Sequence, residues 1–300
     1  MRLKDAALDR LRDAVRAFDL SGTRYRLVGP IGAGGMGAVF EVEDEVLKRR
    51  CALKVVDVSL DGEAPAEALL SEARVLARLE HPGLVPVHDA GRLPDGRAFY
   101  AMKLVRGKRL DAALADLTTL PERLRLFLRV CEPVAFANAN GVVHRDLKPS
   151  NVMVGPFGEV LVLDWGLARP VAASQGGDTS GTPGFMAPEQ VAGGSVDART
   201  DVYSLGALLD AALRVAPAPP RSRALEAILA RSTAPDRGER YRDVPALVAD
   251  VARLLDGERV EAHAEGSLER AGRLLKRHRV AVGLVAAYLL TRGLFILFRR

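Results

Sequence analysis

The sequence predicts an α+β protein built as two unequal halves, and three observations lead there. Strand-like runs rich in Val and Leu fill Tyr25 to Val105, with one helical segment among them. From Pro121 onward the apolar residues recur at helical spacing. Polar residues crowd one short stretch, 144–151, between two apolar runs in the second half.

Leu3, Leu8, Leu11, Val15 and Phe18 follow a helical spacing, which predicts a short amphipathic helix within 1–22; Ser21-Gly22 ends it. Tyr25 to Val58 reads as strands interrupted by glycines. Ala64 to Leu79 reads as a helix whose stripe is Ala68, Leu69, Val75, Leu76 and Leu79, stopped by His81-Pro82-Gly83. Leu84 to Val105 reads as two strands around a Pro94-Asp95-Gly96 turn. Pro121 to Ala139, Val202 to Leu213, Arg223 to Ser232 and Val244 to Leu255 read as helices. Ala216 to Pro220 reads as an Ala/Pro connector and Asp256 to Gly266 as a polar linker.

With 300 residues, 48% hydrophobic and 27% charged, the chain supports a sizeable core and does not have the composition of a disordered protein. The net charge is +5, but basic residues are dispersed apart from Lys276, Arg277, His278 and Arg279, so no nucleic-acid partner is expected. Cys51 and Cys131 stand far apart among apolar neighbours and suggest neither a disulfide framework nor a zinc site. Met1 to Leu20 is charged and lacks the apolar run of a secretory signal.

Gly32, Gly34 and Gly37 spell G-x-G-x-x-G. Glycines let backbone approach phosphates closely. A dinucleotide-binding turn would place a helix after the third glycine. Here Ala38-Val39-Phe40-Glu41-Val42 is strand-like, so a hairpin over a nucleotide fits better; a glycine-rich hairpin without a ligand is the alternative. Lys54 lies inside the apolar run Cys51 to Val56, where a lysine is costly unless paired. It reads either as a snorkelling edge residue or as a cation for phosphate oxygens. Glu72 is its expected holder, one turn before Leu76, with Glu67 as the rival.

His144-Arg145-Asp146-Leu147-Lys148-Pro149-Ser150-Asn151 is the most informative stretch. A structural turn has no use for Asp, Lys and Asn at these spacings. The stretch resembles the catalytic loop H-R-D-x-x-x-x-N of the protein kinase family. Leu147-Lys148-Pro149 resembles the Ser/Thr branch, and Ile31 to Phe40 looks like bacterial members of the family. Asp164-Trp165-Gly166 stands where the family has Asp-Phe-Gly, followed by Ala187-Pro188-Glu189, by Asp201 opening an apolar helix, and by Arg240 as the expected partner of Glu189.

The resemblance covers about Tyr25 to Gly257. It implies a bilobal protein kinase fold: a small β-rich N-lobe (23–105) with one main helix and a larger α-helical C-lobe (106–257). An extension (1–22) would precede it, and a polar, basic linker (258–279) would follow. It implies ATP and Mg²⁺ as cofactors, with Mn²⁺ as a substitute. Gly32, Ala33, Gly34, Gly35 and Gly37 would cover the phosphates, and Ile31 would join them in binding the nucleotide. Val39, Ala52 and Met153 would sandwich the adenine, with Met102 as gatekeeper and Lys103 to Val105 as hinge. Lys54, positioned by Glu72, would hold the α/β-phosphates. Asp164 and Asn151 would bind metal. Asp146 would accept or orient the hydroxyl proton, with Lys148 beside it. Arg145 would grip a phosphate on the activation loop, with Thr179 or Ser180 as the phosphosite and Thr182 contacting Asp146 and Lys148.

Three departures stand out. Trp165 replaces the usual Phe. Lys103 occupies a hinge position that is often acidic. The C-lobe is shortened after its central helix, because Arg214 to Arg221 replaces a longer stretch that helps dock protein substrates.

Val280 to Phe298 is apolar except for Thr291 and Arg292. At ~1.5 Å per residue it reaches just under the ~30 Å of a bilayer core. It is expected to attach the domain to the cytoplasmic face of a membrane as a single helix; an interfacial helix and a buried docking helix are the alternatives. Since the chain ends directly after it, no extracellular sensor is expected. The function expected is a serine/threonine protein kinase in bacterial signalling, with protein substrates that include the chain itself in trans. The alternatives are a pseudokinase scaffold, a small-molecule phosphotransferase and a membrane adaptor.

Overall fold

The computed structural model describes residues 19–34, 37–56, 63–165, 169–170 and 180–266, and toward the C-terminus 269, 283–284, 287–289 and 291–292. The expected N-terminal helix, Gly35, Thr179 and most of 280–298 lie outside the described residues.

Five antiparallel strands build the small lobe: β1 (Tyr25–Gly34), β2 (Gly37–Asp44), β3 (Arg49–Val56), β4 (Val87–Arg92) and β5 (Ala98–Lys103), in the order β1-β2-β3-β5-β4. Side chains alternate across a strand, so one sheet face collects Phe40, Val42, Leu53 and Phe99 around Tyr25 in a small apolar cluster. The other face carries α1 (Glu63–Arg78), which packs on β5. Leu69, Leu76 and Leu79 are buried as the stripe predicts and Val75 packs partly buried against the core, but Ala68 is exposed and Ala66 and Ala73 are buried instead. The face is rotated so that it includes Glu72, whose carboxylate is buried with them.

Beyond β5 the chain enters the large lobe through β6 (Lys108–Arg109) and α2 (Leu110–Ala115). The long helix α3 (Leu120–Ala139) begins at a capping box: Thr119 Oγ1 accepts the Glu122 N–H, and the Glu122 carboxylate accepts the Thr119 N–H. The short β7 (Val142–Val143) follows, then a 3₁₀ turn at Pro149–Asn151, then β8 (Val152–Val154) and β9 (Val160–Val162). β6, β8 and β9 form a small sheet beneath the cleft, and β10 (Arg169–Pro170) pairs with β7. The remaining helices are α4 (Pro188–Val191), α5 (Ala198–Arg214), α6 (Arg223–Ser232) and α7 (Val244–Leu255). Asp197, Ser222 and Asp243 cap α5, α6 and α7 with their side-chain oxygens. A single apolar core runs from α1 through α3 to α5, α6 and α7. Gly206 permits the close approach of α5 to α6, since a Cβ there would sit 2.5 Å from the Cβ of Ser232.

The link from α5 to α6 is short, as expected. Arg123 of α3 is fully buried and ties it down: its guanidinium donates to the carbonyls of Leu117, Ala212, Val215 and Pro217 at 2.7–3.1 Å. After α7 the chain stays on the lobe as far as Ala262, although its polarity reads as linker. Val260 is buried, and Asp250 accepts the N–H groups of Glu261 and Ala262 together with the Tyr241 hydroxyl. Among the described residues no helix is long and apolar enough to cross a membrane.

Candidate active site

The sheet sets the upper wall of the cleft by register. Val39 lies opposite Lys54 on β3, and Ala52 lies opposite Met102 on β5. Gly32 faces Val39 across β1 and β2, and Gly34 faces Gly37 at the hairpin end. The glycines therefore sit on a strand–turn–strand, not a strand–helix turn. At Gly37 a side chain is excluded, because a Cβ would collide with the Val55 carbonyl. Ile31 is half exposed above the cleft, Ala52 is buried, and Val39, Met102, Val105 and Met153 are partly buried. Lys103 points to solvent. For Ala33 and Gly34 only the backbone on β1 is described.

The Lys54 amine donates to both oxygens of Glu72 at 2.8 Å and to Asp164 Oδ1 at 3.3 Å. Glu67, the rival holder, is exposed and pairs with Arg74 instead. Burial works against the charge on Lys54, but the Tyr100 oxygen, Glu72 and Asp164 overcome it and raise the amine's pKa. Tyr100 supports Glu72, its hydroxyl donating to Oε1 at 2.9 Å. Sequence reading missed this tyrosine; its place opposite Lys54 on β5 is the signal that could have found it. Burial also pushes Asp164 toward its neutral form, yet the adjacent Lys54 holds its carboxyl below the usual range. Asp164 therefore stays charged while about half of its side chain remains exposed to the cleft.

The lower wall hangs from Asp201, which is fully buried at the start of α5. Its Oδ2 accepts the His144 N–H at 2.9 Å and the Asn138 amide at 2.8 Å, and its Oδ1 accepts the Arg145 N–H at 3.1 Å. These bonds hold Arg145 at a φ of 72°, a left-handed backbone that a non-glycine residue adopts only when its surroundings enforce it. Gln190, also missed from sequence, clamps the same turn from α4 by donating to the Arg145 carbonyl at 2.8 Å. Trp165 packs on the His144 ring at 4.4 Å between centroids, and its indole N–H donates to the Val162 carbonyl. The larger ring thus seals the floor beneath Asp164, which itself has a φ of 60°.

On this frame Asp146, Lys148, Asn151 and Thr182 converge. The Lys148 amine donates to Asp146 Oδ2 at 2.7 Å and to Thr182 Oγ1 at 2.6 Å, and Thr182 Oγ1 donates to Asp146 Oδ1 at 2.7 Å. The Asn151 amide donates to the Asp146 carbonyl at 2.9 Å and to its Oδ2 at 3.2 Å. Asp146 is thereby fixed as an acceptor facing the cleft. Ser180 lies on the segment leading to Thr182, with its carbonyl toward Gln190. Glu189 and Arg240 close the segment with paired hydrogen bonds at 2.8 and 2.9 Å. Among the described residues no three His, Cys, Asp or Glu side chains gather into a metal site. Asn151 and Asp164 sit side by side on the lower wall, since β8 pairs with β9 and the Leu163 N–H donates to the Asn151 carbonyl at 2.7 Å, and their side-chain oxygens suit an ion that completes its shell with phosphate and water.

Two lobes joined at β5, with charged groups from both gathered at the junction, are the architecture of a protein kinase. The chain belongs to that family: the protein kinase domain matches it over residues 25–233. The DNA damage-responsive serine/threonine-protein kinase RqkA of Deinococcus radiodurans is 42% identical over 198 residues, which cover 62% of this chain and 29% of the relative. The serine/threonine-protein kinase PknD of Chlamydia caviae is 31% identical, over 78% of this chain and 31% of its own. The chain thus spans under a third of the length of these curated relatives. The crystal structure of the Mycobacterium tuberculosis PknI kinase domain superposes with a TM-score of 0.61 at 28% identity, covering 78% of this chain and 96% of that one. Members of the family use ATP and a divalent metal ion.

Proposed function

We propose that the chain transfers the γ-phosphoryl group of Mg-ATP to a serine or threonine hydroxyl of a protein. The observation that carries this is the paired placement of Lys54 on Glu72 and of Asp146 among Lys148, Asn151 and Thr182. Phosphoryl transfer asks a protein mainly for alignment and charge neutralisation. Lys54 supplies a fixed cation for the α/β-phosphates, held by Glu72. The backbone of Gly32 to Gly37 covers the phosphates. Mg²⁺, or Mn²⁺ in its place, would be held by Asp164 and Asn151 and neutralises phosphate charge when bound.

Asp146 orients the acceptor hydroxyl and takes its proton, while Lys148 meets the charge of the moving phosphoryl group. Arg145 and the phosphosite candidates Thr179 and Ser180 regulate this step, and the chain modifies itself in trans. The catalytic unit is 23–257, in a cytoplasmic protein whose 280–298 segment lies at a membrane. Membrane fractionation with a carbonate wash tests that attachment, and release of the protein rules out a spanning helix.

The test of the activity is incubation of the purified protein with γ-labelled ATP and Mg²⁺, read by mass spectrometry. Label on Ser or Thr that disappears with Asp146→Asn is expected. No label from wild-type protein leaves the pseudokinase scaffold as the reading.

A further inference from the structure

From the hinge onward the chain becomes unusually basic. Lys103, Arg106, Lys108 and Arg109 fall within seven residues, and all four are exposed. Lys108 is neutralised by Asp116 at 2.6 Å. Lys103, Arg106 and Arg109 have no ion pair among the described residues. No acidic residue falls within 103–109, and the two that follow, Asp111 and Asp116, do not cancel the four cations, so the rim keeps a net positive charge.

Register ties this rim to the reacting groups. Arg109 lies directly opposite Met153 on β8, and Asn151 is two residues before Met153. Strand spacing of about 4.8 Å and a rise of about 3.3 Å per residue put the Arg109 backbone within roughly 9 Å of Asn151. Asn151 in turn hydrogen-bonds the Asp146 carboxylate. A polypeptide presenting its hydroxyl to Asp146 would therefore pass this rim within a few residues of the acceptor. The guanidinium groups of this rim, exposed and without an ion pair among the described residues, favour carboxylate or phosphate and repel lysine or arginine.

We infer that Arg106 and Arg109 select substrates carrying acidic side chains close to the acceptor Ser or Thr. This names the substrate class of the site above and rests on the kinase reading. It also bears on the shortened C-lobe, because charge at the cleft mouth can supply recognition that a docking helix does not.

The test is a positional peptide series around a fixed acceptor, with Asp, Ala or Lys at each flanking position, phosphorylated by the full chain with ATP and Mg²⁺. Acidic peptides are expected to show about five- to tenfold higher kcat/KM than alanine peptides, through the peptide KM, with the advantage shrinking in high salt. The variant R106E/R109E is expected to abolish or invert the preference while the KM for ATP stays unchanged. Equal use of acidic and neutral peptides by wild-type protein overturns the inference while leaving the kinase reading intact. So does a preference that survives the charge reversal. An effect of R106E/R109E on binding to anionic lipid vesicles without any change in peptide preference reassigns the rim to a membrane surface. Absence of transfer to every peptide overturns the kinase reading and this inference with it.

Discussion

Arg240 grips Glu189 across 51 residues of sequence through two parallel hydrogen bonds, and Thr200 Oγ1 adds a third to the same carboxylate at 2.9 Å. Burial raises the Glu189 pKa, but the bond from Arg240 prevails and holds it below the ordinary value of 4.5. A depressed folded-state pKa gives stability that is complete above the unfolded value and is lost as pH falls through the folded one. Removing one partner of a buried pair costs about 3–5 kcal/mol. Glu189→Ala should lose that much in urea denaturation at pH 7 and should show a shallower fall in stability below about pH 4.5. An acid limb identical to wild type would contradict the assignment.

Glu72 holds Lys54 at 2.8 Å by both oxygens, and a displacement of about 1 Å at a reacting centre costs on the order of 10²-fold in rate. Glu72→Gln should lower kcat/KM for ATP by about that factor with circular dichroism unchanged. Tyr100→Phe, which removes the supporting hydroxyl, should cost about 0.5–1.5 kcal/mol of stability and a smaller part of the rate.

Asp146 touches Lys148, Asn151 and Thr182 but not the Lys54 group. Asp146→Asn should therefore reduce kcat by about 10²–10⁴-fold while calorimetry finds nucleotide affinity unchanged. A parallel loss of affinity would place Asp146 in nucleotide binding instead.

Arg123→Ala leaves four carbonyls without their donor, at about 1–3 kcal/mol for each that water does not reach. A drop of at least about 3 kcal/mol in unfolding free energy is expected. Arg123→Lys should recover only part of it, because an ammonium has three donors and no planar fork. Wild-type stability in Arg123→Ala would show that the carbonyls are met by solvent.

Much of this arrangement was legible in the sequence because the site is built from local runs. His144 to Asn151 states its spacing outright, and the β-like run after Gly37 separated a hairpin from a strand–helix turn. The choice of Glu72 over Glu67 followed from helical phase, since only Glu72 shares a face with Leu69 and Leu76. What escaped depended on groups far apart in sequence. Tyr100 meets Glu72 across 28 residues and Gln190 meets Arg145 across 45, and neither type advertises a role. Arg123 escaped because an arginine early in a helix ordinarily reads as a solvated one. The polar stretch after α7 read as linker because its attachment to Asp250 is made by backbone N–H groups, which leave no trace in side-chain pattern.

Arg123 has one further consequence. Its partners at Leu117, Ala212, Val215 and Pro217 are peptide carbonyls, which every residue type carries. The tether is therefore blind to side-chain identity at the two positions it grips on the link, Val215 and Pro217. The exposed positions Ala216 and Ala218 can take new surface chemistry without disturbing the helix that suspends the catalytic loop, whereas Pro219 is buried, Arg221 pairs with Asp210 and Ser222 caps α6.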